Sequence, residues 1–143
     1  MKTFKEYILE KECRPYWKEV SRSNGSSEAV LYGCGADGKE MMQAKIINVA
    51  KTIKLHSNPD MAAMPADKYI KTVYGKCKMQ GQADARTRYC ILLYNDRLSA
   101  DALIPVSSLK GCEMEIKKGL KTAFGVEASV PKLPVAVFRE LEM

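Results

Sequence analysis

The sequence predicts an α+β fold, a central antiparallel sheet flanked by helices near the N-terminus, in the middle and near the C-terminus. Three observations lead there. Two β-leaning runs, Tyr16 to Arg22 and Glu28 to Gly33, are joined by Ser23-Asn24-Gly25-Ser26, in which Asn-Gly supplies the positive φ angles of a tight hairpin turn. Cys90-Ile91-Leu92-Leu93 is apolar without alternation, as expected of a strand covered on both faces. Leu109, Cys112, Ile116, Leu120, Ala123 and Phe124 recur at helical spacing and stop at Gly125, where a left-handed cap is favoured.

The remaining elements follow in order. Thr3 and Glu6 form a capping box, Phe4, Tyr7 and Ile8 share a helical face, and Pro15 bars continuation, so a helix is expected over 3–13. Asp37 and Glu40 form a second capping signature ahead of Met42, Ile46, Val49, Ala50 and Ile53, and Lys51 and Lys54 complement the helix dipole before Pro59. A middle helix over 38–55 is the expectation. In the alternative, Gly35-Ala36-Asp37-Gly38 turns a hairpin whose second strand contains Met41 to Ala44, shortening the helix at its front. Tyr69 to Met79 and Thr87 to Tyr94 read as strands pairing across the polar loop 80–85. The last eighteen residues contain Pro131 and Pro134, then Val135 to Phe138, expected as a short edge strand or an ordered tail.

With 143 residues, 46% hydrophobic and 28% charged, the chain has the size and composition of one globular domain, without repeats or low-complexity segments. No apolar run approaches the ~20 residues of a bilayer span, and a cytoplasmic location is expected. The five cysteines are widely spaced, with no C-x-x-C, and read as free buried thiols. One histidine, His56, falls after the middle helix, and neither a metal site nor a nucleophile–base–orienter set is suggested. No cofactor and no catalytic residue are expected, and a non-enzymatic binding role is favoured.

A net charge of +6 implies an acidic partner. Between Asp67 and Arg88 lie Lys68, Lys71, Lys76, Lys78, Arg86 and Arg88. On strands they could alternate with Tyr74 and Tyr89 as single-stranded nucleic-acid binders arrange them, or form a solvated sheet face. Lys110, Lys117 and Lys121 make a stripe along the C-terminal helix, for a partner or for solvent. Gly33-Cys34-Gly35-Ala36-Asp37-Gly38 matches G-x-G-x-x-G but lacks a second strand ending in an acidic residue, so a glycine-requiring turn is preferred to a nucleotide loop. Pro131-Lys132-Leu133-Pro134 matches P-x-x-P and is read as a structural kink.

The order helix, hairpin, helix, antiparallel strands, helix resembles the profilin-like architecture of profilins and of roadblock and longin domains. Thr3-Phe4-Lys5-Glu6-Tyr7-Ile8 is similar to the profilin N-terminal helix, and Ala29-Val30-Leu31-Tyr32-Gly33 with Asp37-Gly38 to its first strand and turn. Ile91-Leu92-Leu93-Tyr94-Asn95-Asp96 and the following helix are similar to its last strand and C-terminal helix. The resemblance implies an actin-monomer-binding regulator of filament assembly. Its docking surface would hold Lys110, Lys117 and Lys121, with Arg86 and Arg88 from the adjacent strands. It further implies proline-rich ligands held by Phe4, Tyr7 and Phe124, and phosphoinositide contacts on the basic surface.

Overall fold

The fold is seen in a computed structural model that describes residues 13–22 and 25–142. The helix expected over 3–13, with Phe4 and Tyr7, lies outside the described residues. Strand β1 (Tyr16–Ser21) pairs antiparallel with β2 (Ser27–Cys34), so the expected first hairpin forms. Gly25 has a φ of +89° there, and the turn closes through the Arg22 N–H donating to the Ser26 carbonyl at 2.8 Å.

The middle helix is much shorter than its spacing suggested. Residues Glu40–Asn48 form strand β3, antiparallel to β2, and only Val49–Lys54 is helical (α1). The hairpin alternative is therefore the one realised. The chain turns at 35–39, with Gly38 at a φ of +76° and the Asp37 carboxylate accepting from the Lys39 N–H. Asn48 starts α1 by accepting from the Lys51 N–H at 3.0 Å.

The run Tyr69 to Met79 is a correction. After a single turn, α2 (Pro59–Ala62), residues Ala66–Tyr74 are helical (α3), and only Lys78–Met79 extends, as β4. Tyr, Ile, Thr and Val favour strands on propensity, but Ala66, Tyr69 and Ile70 at i, i+3 and i+4 bury one face of a helix, and that burial wins. β5 (Tyr89–Tyr94) pairs instead with β3 and with β6 (Ala100–Val106), a strand that the sequence did not suggest. Pro105 is tolerated in β6 because β4 stops opposite Leu103, leaving that end of β6 an edge. The C-terminal helix forms as α4 (Cys112–Phe124), closed by Gly125 at a φ of +68°. Val135–Glu142, expected as strand or tail, is helix α5.

The result is an α+β domain around a mixed six-stranded sheet of order β1-β2-β3-β5-β6-β4, antiparallel except for β4 beside β6. Helices cover both faces. On one face Leu31, Ile46, Ile91 and Leu93 meet Ile116 and Leu120 of α4 and Leu141 of α5. On the other, Cys90, Leu92 and Leu103 meet Ile53 of α1 and Ile70 of α3. β5 is buried along its whole length, as its lack of alternation predicts. The segment between α4 and α5 is strapped to the sheet edge by the Trp17 indole, which donates to the Pro131 carbonyl at 2.8 Å. Asn48, buried, donates from Nδ2 to the Leu141 carbonyl at 2.7 Å and so ties α5 to the start of α1.

Gly119 sets how closely α4 approaches the sheet. A Cβ at this position would sit 2.8 Å from both Ile104 Cδ1 and Leu93 Cδ1. Its carbonyl also accepts from Gln80 Nε2 at 3.1 Å. Glycine costs the helix about 1 kcal/mol relative to alanine, a loss the close packing offsets. For Gly119→Ala, overpacking outweighs the gain in helix propensity, and a net destabilisation of about 1–2 kcal/mol is expected in urea unfolding.

Candidate functional site

Helix α4 buries Cys112, Ile116, Gly119 and Leu120 against the sheet, which turns the opposite side outward. Lys110, just before the helix, and Met114, Lys117 and Lys121 along it are spaced four, three and four residues apart, so they fall on one line of the exposed face. At 1.5 Å per residue the line is about 16 Å long. Met114, an apolar group, is 60% exposed in the midst of these cations. Lys121 Nζ lies 2.5 Å from Glu127 Oε1, and this partner raises the lysine pKa and lowers that of the carboxylate. Both groups are more than 65% exposed, so solvent screens the pair and it leaves the lysine open to exchange for an outside carboxylate.

Of the two arginines only Arg86 reaches the α4 stripe. Arg86 sits in a tight turn where its N–H donates to Asp84 Oδ1 at 2.7 Å and the Asp84 N–H donates to Thr87 Oγ1 at 3.0 Å. It lines a cleft of about 540 Å³ together with Lys110, Asp84 and Glu115, which places it at the start of the α4 stripe. Arg86 also borders a second cleft of about 450 Å³, with Arg88 and Lys54. That cleft belongs to the α1–α3 side of the sheet, so Arg88 is separated from Lys117 and Lys121. The Arg88 guanidinium lies 5.9 Å from the centroid of the buried Tyr89 ring.

The strand-borne nucleic-acid platform does not form. Lys71 and Tyr74 are on α3, Lys76 is in the turn after it, Arg86 and Arg88 are in a loop, and of the set only Lys78 and Tyr89 lie within strands, β4 and β5. The G-x-G-x-x-G segment is the β2–β3 turn and leads into a strand, so no helix N-terminus follows it to receive a pyrophosphate. His56 Nδ1 accepts from the Asn58 N–H at 3.2 Å and the ring meets Tyr69 edge-on, a helix-end imidazole. Among the described residues no group of three His, Cys, Asp or Glu side chains could hold a metal ion.

Free thiols are corrected for two of the five cysteines, because Cys13 and Cys34 form a disulfide. The pairing is invisible to spacing: strand β2 brings Cys34 to the end of the sheet where residue 13 enters. Cys77, Cys90 and Cys112 are free. Phe124 is half-buried and lies away from the lysine line, in a cleft of about 330 Å³ with Cys34, Met41, Gln43, Tyr94 and Leu120.

Two irregularities shape that end of the sheet. Pairing shifts between Leu31 and Tyr32, whose partners are Ala44 and Met42, so Gln43 is the extra residue of a β-bulge; Asp101 is extra in the same way opposite Leu93 and Tyr94. The bulge sends Gln43 over Gly33, where a Cβ would lie 2.1 Å from Gln43 Oε1. Gln43 is 4% exposed and its Oε1 has no hydrogen-bond partner among the described residues. A single glutamine in a run with helical period gave no sign of this. On the other face Lys45 Nζ stands 5.9 Å from the Tyr94 centroid, and the buried Glu28 carboxylate is held by Arg22 at 3.0 Å and Lys45 at 3.7 Å.

Comparison with family models, with curated proteins and with solved structures gives no match to this chain.

Burial, followed by the hydrogen bond and charge of Glu113, pushes the Cys112 thiol up to about 12, and burial raises Cys90 as well. Both remain protonated thiols at neutral pH, and alkylation of the native chain at pH 8 should be slow at these two positions compared with the urea-unfolded chain. The sign of the pH dependence follows from the raised folded values. The contribution of Cys112 is fully present below the ordinary thiol value of 9.0 and is lost as pH rises from there toward about 12. A native alkylation rate equal to the unfolded one would contradict this burial.

Proposed function

We propose that this chain is a non-enzymatic binding module that docks an acidic protein face on the outer side of α4, and that the partner is monomeric actin, whose assembly into filaments it regulates. The observation carrying the docking surface is the line Lys110, Met114, Lys117, Lys121 with Arg86 at its head, all exposed. Cations around an exposed methionine suit a protein partner better than solvent alone. The charges steer encounter and fix orientation, while Met114 and the lysine stems supply apolar area. The same cations could meet phosphoinositide headgroups, as the resemblance implies.

The identity of the partner comes from the residues at 3–8, 29–33, 37–38 and 91–96 that resemble profilin, together with the helix-covered, largely antiparallel sheet. A cytoplasmic location belongs to the same proposal. No helix of the described residues is long and apolar enough to cross a membrane. For proline-rich ligands, Phe124 is the available described residue of the three expected, and it lies in a cleft rather than on the lysine line.

Because Lys117 and Lys121 are exposed and far from the core contacts, reversing both to glutamate should leave the fold intact. Dose-dependent suppression of spontaneous actin assembly by the wild-type chain is expected, and the double reversal should weaken it at least about tenfold, with a steeper salt dependence for the wild type. Suppression by wild type and variant alike would remove this surface from the proposal. No suppression at tens of micromolar chain would remove actin as the partner.

A further inference from the structure

We propose that the cleft at the hairpin ends is a binding site for a small, mainly apolar molecule carrying one N–H donor, with Gln43 Oε1 as the group that recognises the donor. The cleft, of about 330 Å³, is the size of small-ligand sites and is walled by Met41, Leu120, Phe124 and Val126. Such walls take a flat aromatic or aliphatic body.

The polar groups of the lining sort themselves by occupancy. Asn95 is fully engaged: Oδ1 accepts from the Arg97 N–H at 2.9 Å and the Ser99 N–H at 3.1 Å, and Nδ2 donates to Asp101. Asp96 is exposed at the rim. Gln43 differs, since its Oε1 is buried with no partner among the described residues. A buried acceptor without a donor is uncommon in native structures and asks for an explanation. Oε1 is sealed from solvent, so a donor reaches it only when a neighbouring side chain moves aside, and the flexible Met41 beside Phe124 is the one suited to do so.

Two local devices place this amide, which sets it apart from an accident of surface packing. The β-bulge adds Gln43 to β3 opposite the Leu31–Tyr32 step, and Gly33 leaves the space its amide fills. A side chain at residue 33 would displace Oε1 without touching the walls of the cleft. The site lies beyond the lysine line of α4, so it is independent of the docking surface.

Indole and benzofuran share ring shape and differ in the N–H, so they serve as the probes. Titrated into the full chain with its disulfide intact and followed by amide chemical shifts, indole should perturb residues 41–43 and 124–126. It should bind about tenfold more tightly than benzofuran. Gln43→Leu should abolish the preference while keeping apolar binding, and Gly33→Ala, which moves the amide rather than removing it, should abolish it in a chain that keeps its native glutamine. Absence of shifts at millimolar indole, equal affinity of the two probes for the wild type, or a preference that survives both substitutions would overturn the proposal.

Discussion

The contact of Gly119 with Leu93 and Ile104 fixes the spacing between α4 and the sheet, and much of the molecule is arranged around it. Leu93 belongs to a strand with no exposed residue, and Ile104 to its neighbour, so the helix rests on the middle of the sheet rather than on an edge. Once the backbone of α4 lies that close, Ile116 and Leu120 are driven into the core and the lysines have only one direction left, outward. Glycine residues also bracket the helix at both ends in left-handed conformations, Gly111 with a φ of +75° and Gly125 with a φ of +68°. Three glycines that look like weaknesses in a propensity sum therefore define where the helix starts, where it stops and how near it sits.

The other face shows the same economy of means. Tyr69 and Ile70 of α3 and Ile53 of α1 seal Cys90, Leu92 and Leu103, so β5 is enclosed by helices on both sides. Burial of that kind explains why the thiols of Cys90 and Cys112 are held protonated. Tyr16 and Tyr32 stack at 5.3 Å near the sheet edge, and the hydrogen bond with Glu40 raises the hydroxyl pKa of Tyr16.

Where the sequence was legible, a local signal agreed with the tertiary demand. Asn24-Gly25 marked the first hairpin, unbroken hydrophobicity marked β5, and the Leu109 to Phe124 spacing with Gly125 marked α4. The errors arose where one apolar pattern serves two geometries. Met42, Ile46, Val49 and Ile53 satisfy a helix, yet Ala44 and Ile46 line one face of a strand and Ile47 the other, and only the neighbouring strands decide. In α3, β-branched residues sit in a helix because its buried face repays their lost rotamer freedom. Proline hid β6 through Pro105, and Pro134 did the same for the helix that begins one residue later. Charge was legible as residues but not as a surface: the lysines of α4 share a line, whereas of Arg86 and Arg88, which border one cleft on the α1–α3 side, only Arg86 also reaches the head of that line. The disulfide and the bulge that delivers Gln43 depend on register between strands, which no single segment encodes.

Hydrogen–deuterium exchange of the chain with and without monomeric actin tests the docking surface most directly, because it reads position without altering any residue. Slowed exchange at 110–121 and around Arg86, with the hairpin ends at 35–39 and 95–99 unchanged, is the expected result. Protection centred on those hairpin ends or on the Arg88 side of the sheet, with α4 unaffected, would contradict the assignment of the α4 face as the site of docking.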